Sequence, residues 1–360
     1  MEYKVIDGKG IIPDGTTEIE KSAFSDCTSL QSIVIPNSVT KIGGDAFSGC
    51  TSLQSIEIPD SVISIGSCAF RGCTSLQSIE IPNSVTTIGL GMFSGCTSLQ
   101  SFAIPDSVTE IDSSAFYGCN NLTSIIVSKN NSKYKSINNC ILTKDGKELI
   151  LCLNHEICLN HEIPDGVTKI GKGAFGDCTG LKSFVIPDSV VEIGSLAFVG
   201  CTNLQSIEIP DSVTTIEEST FECCYSLQSI IIPDNVTEIG MLAFSCCRSL
   251  QSIIIPNNVA TIGMFAFQSC KRLQSIEIPS SVTMVGLLAF QDCTSLQSIT
   301  ITTQEKEPDM SRERIEYLLQ ALSEYSKEFF LRVPIGCGYA YRHHPAFEGK
   351  FQKVIGDIDA

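Results

Sequence analysis

The sequence predicts a solenoid, in which short turns of chain stack on one another and share one elongated hydrophobic core. The first observation is a period of 23 residues, seen in the spacing of Phe24, Phe47 and Phe70 and again of Phe221 and Phe244. A Cys follows each of these Phe residues after three positions, and a Pro recurs with the same period. Such self-similarity is typical of repeats that bury their apolar faces against each other. The fold offers a long surface rather than a pocket, which favours binding over catalysis.

The order of elements within one repeat follows from its residue types. Ile33, Val34 and Ile35 favour a strand, in which alternation sends Ile33 and Ile35 inward and Val34 outward. Pro36 ends the strand because it has no N–H to donate to a neighbouring strand. The chain then returns through turns, and we expect Phe47 to point into the core from a short helical turn.

The whole pattern reads Leu-x-x-Ile-x-Ile-Pro-x-x-Val-x-x-Ile-Gly-x-x-Ala-Phe-x-x-Cys over roughly residues 12–302. It resembles the 23-residue leucine-rich repeat of the BspA-like family. The resemblance implies a leucine-rich repeat solenoid: a right-handed superhelix with a concave parallel β-sheet and a short helical or irregular convex side. It also implies adhesion or protein binding at a bacterial cell surface, with no catalytic residues to assign.

Composition excludes several classes of partner. The net charge of −16 argues against nucleic acid and anionic membranes, which need positive counter-charge. No apolar run is long enough for a membrane span, and the first residues do not have the pattern of a secretory signal. We expect no cofactor, and a monomer whose partner is a host, neighbouring-cell or matrix protein.

The cysteines favour a reduced ladder over a disulfide scaffold. Of the eighteen Cys residues, eleven share one register of the repeat, where stacked side chains run parallel and are poorly placed for bonding. Free Cys behaves as a small buried hydrophobe. We therefore expect a buried thiol ladder and a reducing or anaerobic setting. The register contains Cys27, Cys50, Cys73, Cys96, Cys119, Cys178, Cys201, Cys224, Cys247, Cys270 and Cys293.

Two interruptions set the predicted domains: a repeat array over 1–302, with an irregular insertion at about 128–163, and a C-terminal cap over 303–360. Inside the insertion, Asp145-Gly146 between two β-favouring runs indicates a hairpin. A duplicated hexapeptide then spaces Cys152, His155, Cys158 and His161 by three, a donor set that suits zinc. A tandem duplication explains the same spacing, and in an extended chain these side chains alternate faces. We therefore assign no metal.

The predicted cap combines a helix after Ser311 with a strand before Pro334. A solenoid needs such a segment to cover the apolar cross-section of its last repeat. Arg342, His343 and His344 form the cluster in the chain that looks most reactive, and an enzyme using either His is the remote alternative. No nucleophile motif or phosphate loop accompanies them, so the sequence predicts no enzyme and no catalytic residue.

One exposed column of the strands varies from turn to turn, as a binding surface requires, and we expect it to contact the partner. Ile231 and Ile254 would form an apolar stripe bordered by charge. Equally, these positions could hold β-favouring residues without a function. The invariant Ser column and the Asp residues after the prolines have a structural explanation in stacking and turns, with a weak Ca²⁺ stripe as the alternative for the Asp. The predicted contact residues are Val34, Glu57, Glu80, Ile126, Val185, Glu208, Ile231, Ile254 and Glu277.

The sequence thus favours a non-enzymatic, protein-binding surface protein of the adhesion type. An intracellular scaffold is the alternative, because the thiol ladder favours a reducing compartment. Localisation stays open between the cell surface and the cytoplasm.

Overall fold

The computed structural model describes residues 3–153 and 163–301, together with the backbone of Phe330–Arg332 and Lys353–Ile355. The chain divides into two compact units. Unit 1 contains Met1–Ile157 and Gly173–Asp177, and unit 2 contains Cys158–Lys172 and Cys178–Ala360.

Unit 1 is a stack of 23-residue turns with two series of short parallel strands. Its first-strand series is Lys9–Ile11, Ser32–Ile33, Ser55–Ile56, Ser78–Ile79, Ser101–Ile104 and Ser124–Val127. Its second-strand series is Glu18–Ile19, Lys41–Ile42, Ser64–Ile65, Thr87–Ile88 and Glu110–Ile111. Pairing joins equivalent residues of successive turns, for example Ser55 with Ser78. An additional strand, Lys4–Ile6, pairs antiparallel with Lys9–Ile11.

Unit 2 repeats this arrangement. Its first-strand series is Ser183–Val185, Ser206–Glu208, Ser275–Ile278, Ser298–Ile301, Phe330–Arg332 and Lys353–Ile355, with single β-bridges at Ile231 and Ile254. Its second-strand series is Lys169–Ile170, Glu192–Ile193, Thr215–Ile216, Glu238–Ile239, Thr261–Ile262 and Met284–Val285. The predicted repeat solenoid with parallel strands is therefore confirmed.

The return side of each turn is irregular and carries little helix. Among the described residues the only helix is a 3-10 turn at Ser113–Phe116, so the helical turn expected around Phe47 is replaced by turns. These turns are themselves joined from repeat to repeat: the Phe47 N–H donates to the Ala69 carbonyl at 2.8 Å. No helix in the described part of the chain is long and apolar enough to cross a bilayer.

Residues with a left-handed backbone conformation make these hydrogen bonds between the turns of successive repeats possible. Asp45 and Leu242, for example, have φ of 56° and 57°, a conformation that costs a non-glycine residue about 1–2 kcal/mol. Gly43 allows close approach of successive turns: a Cβ there would lie 2.6 Å from the Lys21 backbone nitrogen of the preceding turn.

The core consists of equivalent side chains stacked along each unit. Phe24, Phe47 and Phe70 have ring centroids 5.5 Å apart and nearly parallel planes. In unit 2 the Phe221, Phe244 and Phe267 rings stack at 5.4 Å. Because each ring contacts the one above and the one below, a turn has no complete core without its neighbours.

The insertion forms three antiparallel strands at Tyr134–Ile137, Cys140–Thr143 and Glu148–Cys152, with the turn at Asp145-Gly146. Cys140 and Cys152 face each other across the last two strands and form a disulfide, which the sequence analysis did not predict. The division into an array and a cap remains a proposal, because most of 303–360 lies outside the described residues.

Candidate interaction surface on the first-strand series

The first-strand series exposes every second side chain, as the period of two in a strand requires. Ile230 and Ile232 are 6% and 5% exposed, whereas Ile231 between them is 80% exposed. Alternate burial of this kind fixes the register, because a shift by one residue would bury the outward side chain. We call the outward positions between the two buried residues the variable column.

In unit 2 the variable column places two apolar residues between two acidic ones. Glu208 is bridged to Ile231, and Ile254 is bridged to Glu277, in successive turns. Ile231 and Ile254 are each 80% exposed, and Val185 at 61% pairs with Glu208. The result is an apolar centre flanked by carboxylates on the solvent side of the sheet.

In unit 1 the order is different. Val34, 83% exposed, is bridged to Glu57, and Ile126, 61% exposed, pairs with Ala103. Glu57 and Glu80 follow in register from the paired strands Ser55–Ile56 and Ser78–Ile79, so two carboxylates stand on adjacent strands. Both line a groove of about 590 Å³ with Asp60. All nine predicted contact residues are thus exposed on the first-strand series.

The neighbouring columns of this face are exposed and polar. Gln228 and Ser229 precede Ile231, and Gln251 and Ser252 precede Ile254, all in contact with solvent. In the turns after the strands, some side chains bond to the preceding repeat: the Asn235 side chain donates to the Asp211 backbone carbonyl at 2.7 Å. In the described part of the chain no group of three metal-binding side chains occurs.

The cysteine register forms the predicted ladder of thiols, and it has a hydrogen-bonding role. The thiol of Cys73 donates to the Phe47 carbonyl at 3.1 Å, and the thiol of Cys247 donates to the Phe221 carbonyl at 3.3 Å. Burial raises the pKa of Cys50 and Cys73 to about 12, so both stay neutral. Cys27 is the exception to burial and is partly exposed.

The remaining candidates fall largely outside the described residues. His155, Cys158 and His161 of the zinc alternative lie there, as do Arg342, His343 and His344. Cys152 is described, and its disulfide with Cys140 leaves no thiolate for a metal.

Two further groups of exposed residues were not predicted from the sequence. Ile63 and Val191, 63% and 55% exposed, lie immediately before second strands, in a column that is mostly Thr. Arg248, Lys271 and Arg272 are exposed together at the entry to the first strands of unit 2. The signal for both was present in the sequence as departures from the residue usual at that position of the repeat.

Comparison with known proteins agrees with this architecture. The family model for the BspA type leucine rich repeat region matches residues 12–144, 153–259 and 240–310, in six copies. A comparison with curated proteins found no match.

Several bacterial proteins of known structure are similar to this chain. A leucine-rich repeat protein from Eubacterium ventriosum is 27% identical, with a TM-score of 0.65 over 78% of this chain and 82% of that one. A leucine rich cell surface protein from Faecalibacterium prausnitzii is 31% identical, with a TM-score of 0.51 over 84% and 85% of the two chains. The pneumococcal vaccine antigen PcpA is 20% identical, with a TM-score of 0.62 over 95% and 84%, and shows the fold alone.

The matched residues cover most of the array, and they are the same repeats that stack in the two units. This protein therefore belongs to the family of BspA type leucine-rich repeat proteins.

Proposed function

We propose that the protein binds a partner protein through the variable column of unit 2, centred on Ile231 and Ile254. The observation that supports this most is their exposure, 80% each on successive turns, in a molecule whose other repeat isoleucines are mostly buried. Exposed apolar residues surrounded by polar ones are typical of protein contact sites. Repeat proteins of this kind are binding scaffolds, and we propose no catalytic role.

The charged residues on either side suit a selective contact. Glu208 and Glu277 flank the apolar pair, and strands of a sheet are about 4.8 Å apart, so the two carboxylates lie on the order of 14 Å from each other. Such rim charges steer a partner and set its orientation more than they add affinity. We therefore expect the partner to present an apolar centre with a cation on each side.

A role in adhesion at the cell surface follows from the same proposal. It is supported by the likeness to the cell surface protein of F. prausnitzii, at 31% identity. The second candidate, an intracellular scaffold, is favoured by the fourteen free cysteines among the described residues, which would be maintained best in a reducing compartment. Labelling intact cells with a membrane-impermeant reagent separates the two, because only a surface protein is labelled before lysis.

The contact itself is tested with Ile231→Lys/Ile254→Lys. The full chain, immobilised, is presented to extracellular matrix and to cell lysate, and captured proteins are compared between variants. Ile63→Lys/Val191→Lys is the matched control, since it places the same charges at exposed positions immediately before second strands. We expect at least one captured protein to persist with the control and to disappear with the Ile231/Ile254 variant.

Circular dichroism confirms that both variants remain folded. Equal capture by all three proteins would rule out the variable column of unit 2 as the contact site. Loss in both variants alike would show an effect of added charge rather than of this site.

A further inference from the structure

Unit 2 carries a small basic cluster in strongly acidic surroundings. Between Lys182 and Lys306 the sequence has twelve Asp and Glu residues and only three basic ones, Arg248, Lys271 and Arg272. We call these three residues the basic edge. Arg248 and Lys271 are separated by one period of 23, so they occupy equivalent positions in successive turns, and Arg272 follows directly.

The basic edge is exposed and has no counter-charge in the described part of the chain. All three side chains are open to solvent, and no ion pair involves them among the described residues. By contrast, Lys169 and Glu192, also in unit 2, form an ion pair of 3.0 Å on the second-strand series. Arg248 and Lys271 occupy equivalent turn positions of successive repeats and their like charges repel, so an anion bound here would relieve a repulsion.

An aromatic ring fixes one of the cations. The Arg248 guanidinium lies 4.5 Å from the centre of the Tyr225 ring, in the turn before. Tyr225 is itself 36% exposed, so this pair lies at the surface. Stacking on an aromatic face leaves the edge of a guanidinium free to bind a carboxylate with two hydrogen bonds. The site therefore has one cation oriented by an aromatic ring beside two further exposed cations.

The charge of the whole molecule decides what kind of anion fits. At physiological salt, electrostatic interactions extend over about 8 Å, so a short bound segment interacts mainly with the basic edge. A long polyanion would extend past it over Glu208, Asp211 and Glu222 and be repelled. We propose that the basic edge binds a short acidic segment of a partner polypeptide. This contact uses none of the residues of the variable column, so either proposal can fail alone.

The test uses the full chain and a fluorescent ten-residue peptide of alternating Asp and Ser, with binding followed by anisotropy. Arg248→Gln/Lys271→Gln/Arg272→Gln removes the basic edge. Lys21→Gln/Arg71→Gln/Lys129→Gln is the matched control, because it removes the same number of exposed charges elsewhere. We expect the first variant to bind at least about tenfold more weakly than the unmodified chain, and the control to change affinity less than about twofold.

The variant Arg248→Lys distinguishes the effect of the oriented guanidinium group from the effect of positive charge alone. It keeps the cation but loses the planar fork, and we expect it to weaken binding by about threefold to tenfold. The proposal is overturned if the peptide does not bind the unmodified chain, or if both triple variants weaken binding equally. A sulfated oligosaccharide that binds more tightly than the peptide through the same three residues would also overturn it, since it would show a site for polyanions.

Discussion

The buried cysteines act both as small apolar side chains and as hydrogen-bond donors between turns. At eight Phe residues of the register the carbonyl receives an N–H from its own turn and a thiol from the next: at Phe47 the donors are Cys50 and Cys73. Alanine would fill much of the space without donating, and a bulkier residue would not fit at a position that has no exposed area, as at Cys50 and Cys73. This explains why the repeat uses Cys at a fully buried position.

The same thiols predict a loss of stability in alkali. Burial raises the pKa of Cys50, Cys73 and Cys119 to about 12 from 9.0, while in the unfolded chain these thiols ionise near their ordinary value. The folded chain therefore holds more protons above pH 9. Stability is fully present below that pH and falls as the pH rises toward 12, by about 1.4 kcal/mol per pH unit for each such thiol.

Urea unfolding between about pH 7 and pH 10.5 measures this slope. Cys73→Ala/Cys119→Ala serves as the control, because removing two thiols should make the slope shallower by about twice the single-thiol value. If the slope is the same in the variant and the unmodified chain, these thiols do not remain neutral in the folded protein.

At the scale of elements, each strand is short and depends on the register with its neighbours. Most strands have only two to four residues, yet in paired strands each residue lies beside the equivalent residue of the next turn. In unit 1 this register places Glu57 beside Glu80, a pairing of like charges that the fold tolerates.

Replacing one of these carboxylates should therefore stabilise the protein. Glu80→Gln removes the repulsion and is expected to raise the free energy of unfolding by roughly 0.2–1 kcal/mol at low salt, with the gain shrinking as salt screens the pair. Glu277→Gln is the matched control, since Glu277 stands between Ile254 and Thr300. A gain that is equal in both variants would mean that overall charge, not this pairing, is responsible.

The strands and turns also show which structural features can be predicted from the sequence. The alternation of Ile230, Ile231 and Ile232 predicted burial and exposure correctly, because a period of two leaves no other arrangement when one face is buried. The disulfide of Cys140 with Cys152 was not predictable, because it depends on the register of a hairpin interrupted by an irregularity. The left-handed return turns were missed because hydrogen bonds from the next repeat, not local preference, hold Leu242 in that conformation.

At the scale of the whole molecule, stacking creates the surfaces on which both proposals depend. Ile231 and Ile254 become neighbours, and Arg248 reaches Tyr225, only because each turn donates backbone hydrogen bonds to the next. The charge distribution on the surface could be predicted from the sequence, because residues whose numbers differ by 23 stack on one another. The 23-residue period does not determine what such a surface binds, because binding also depends on the shape and charge of the partner.

Hydrogen–deuterium exchange of the intact chain tests this stacking most directly. The amides of Phe47, Phe70, Phe221 and Phe244 all donate to the following turn, at 2.8 to 3.0 Å. We therefore predict slow exchange that recurs every 23 residues within each unit, at the Phe amides and at the inward residues of both strand series. Fast exchange at these amides, or protection without that period, would contradict the stacked arrangement and both binding surfaces built on it.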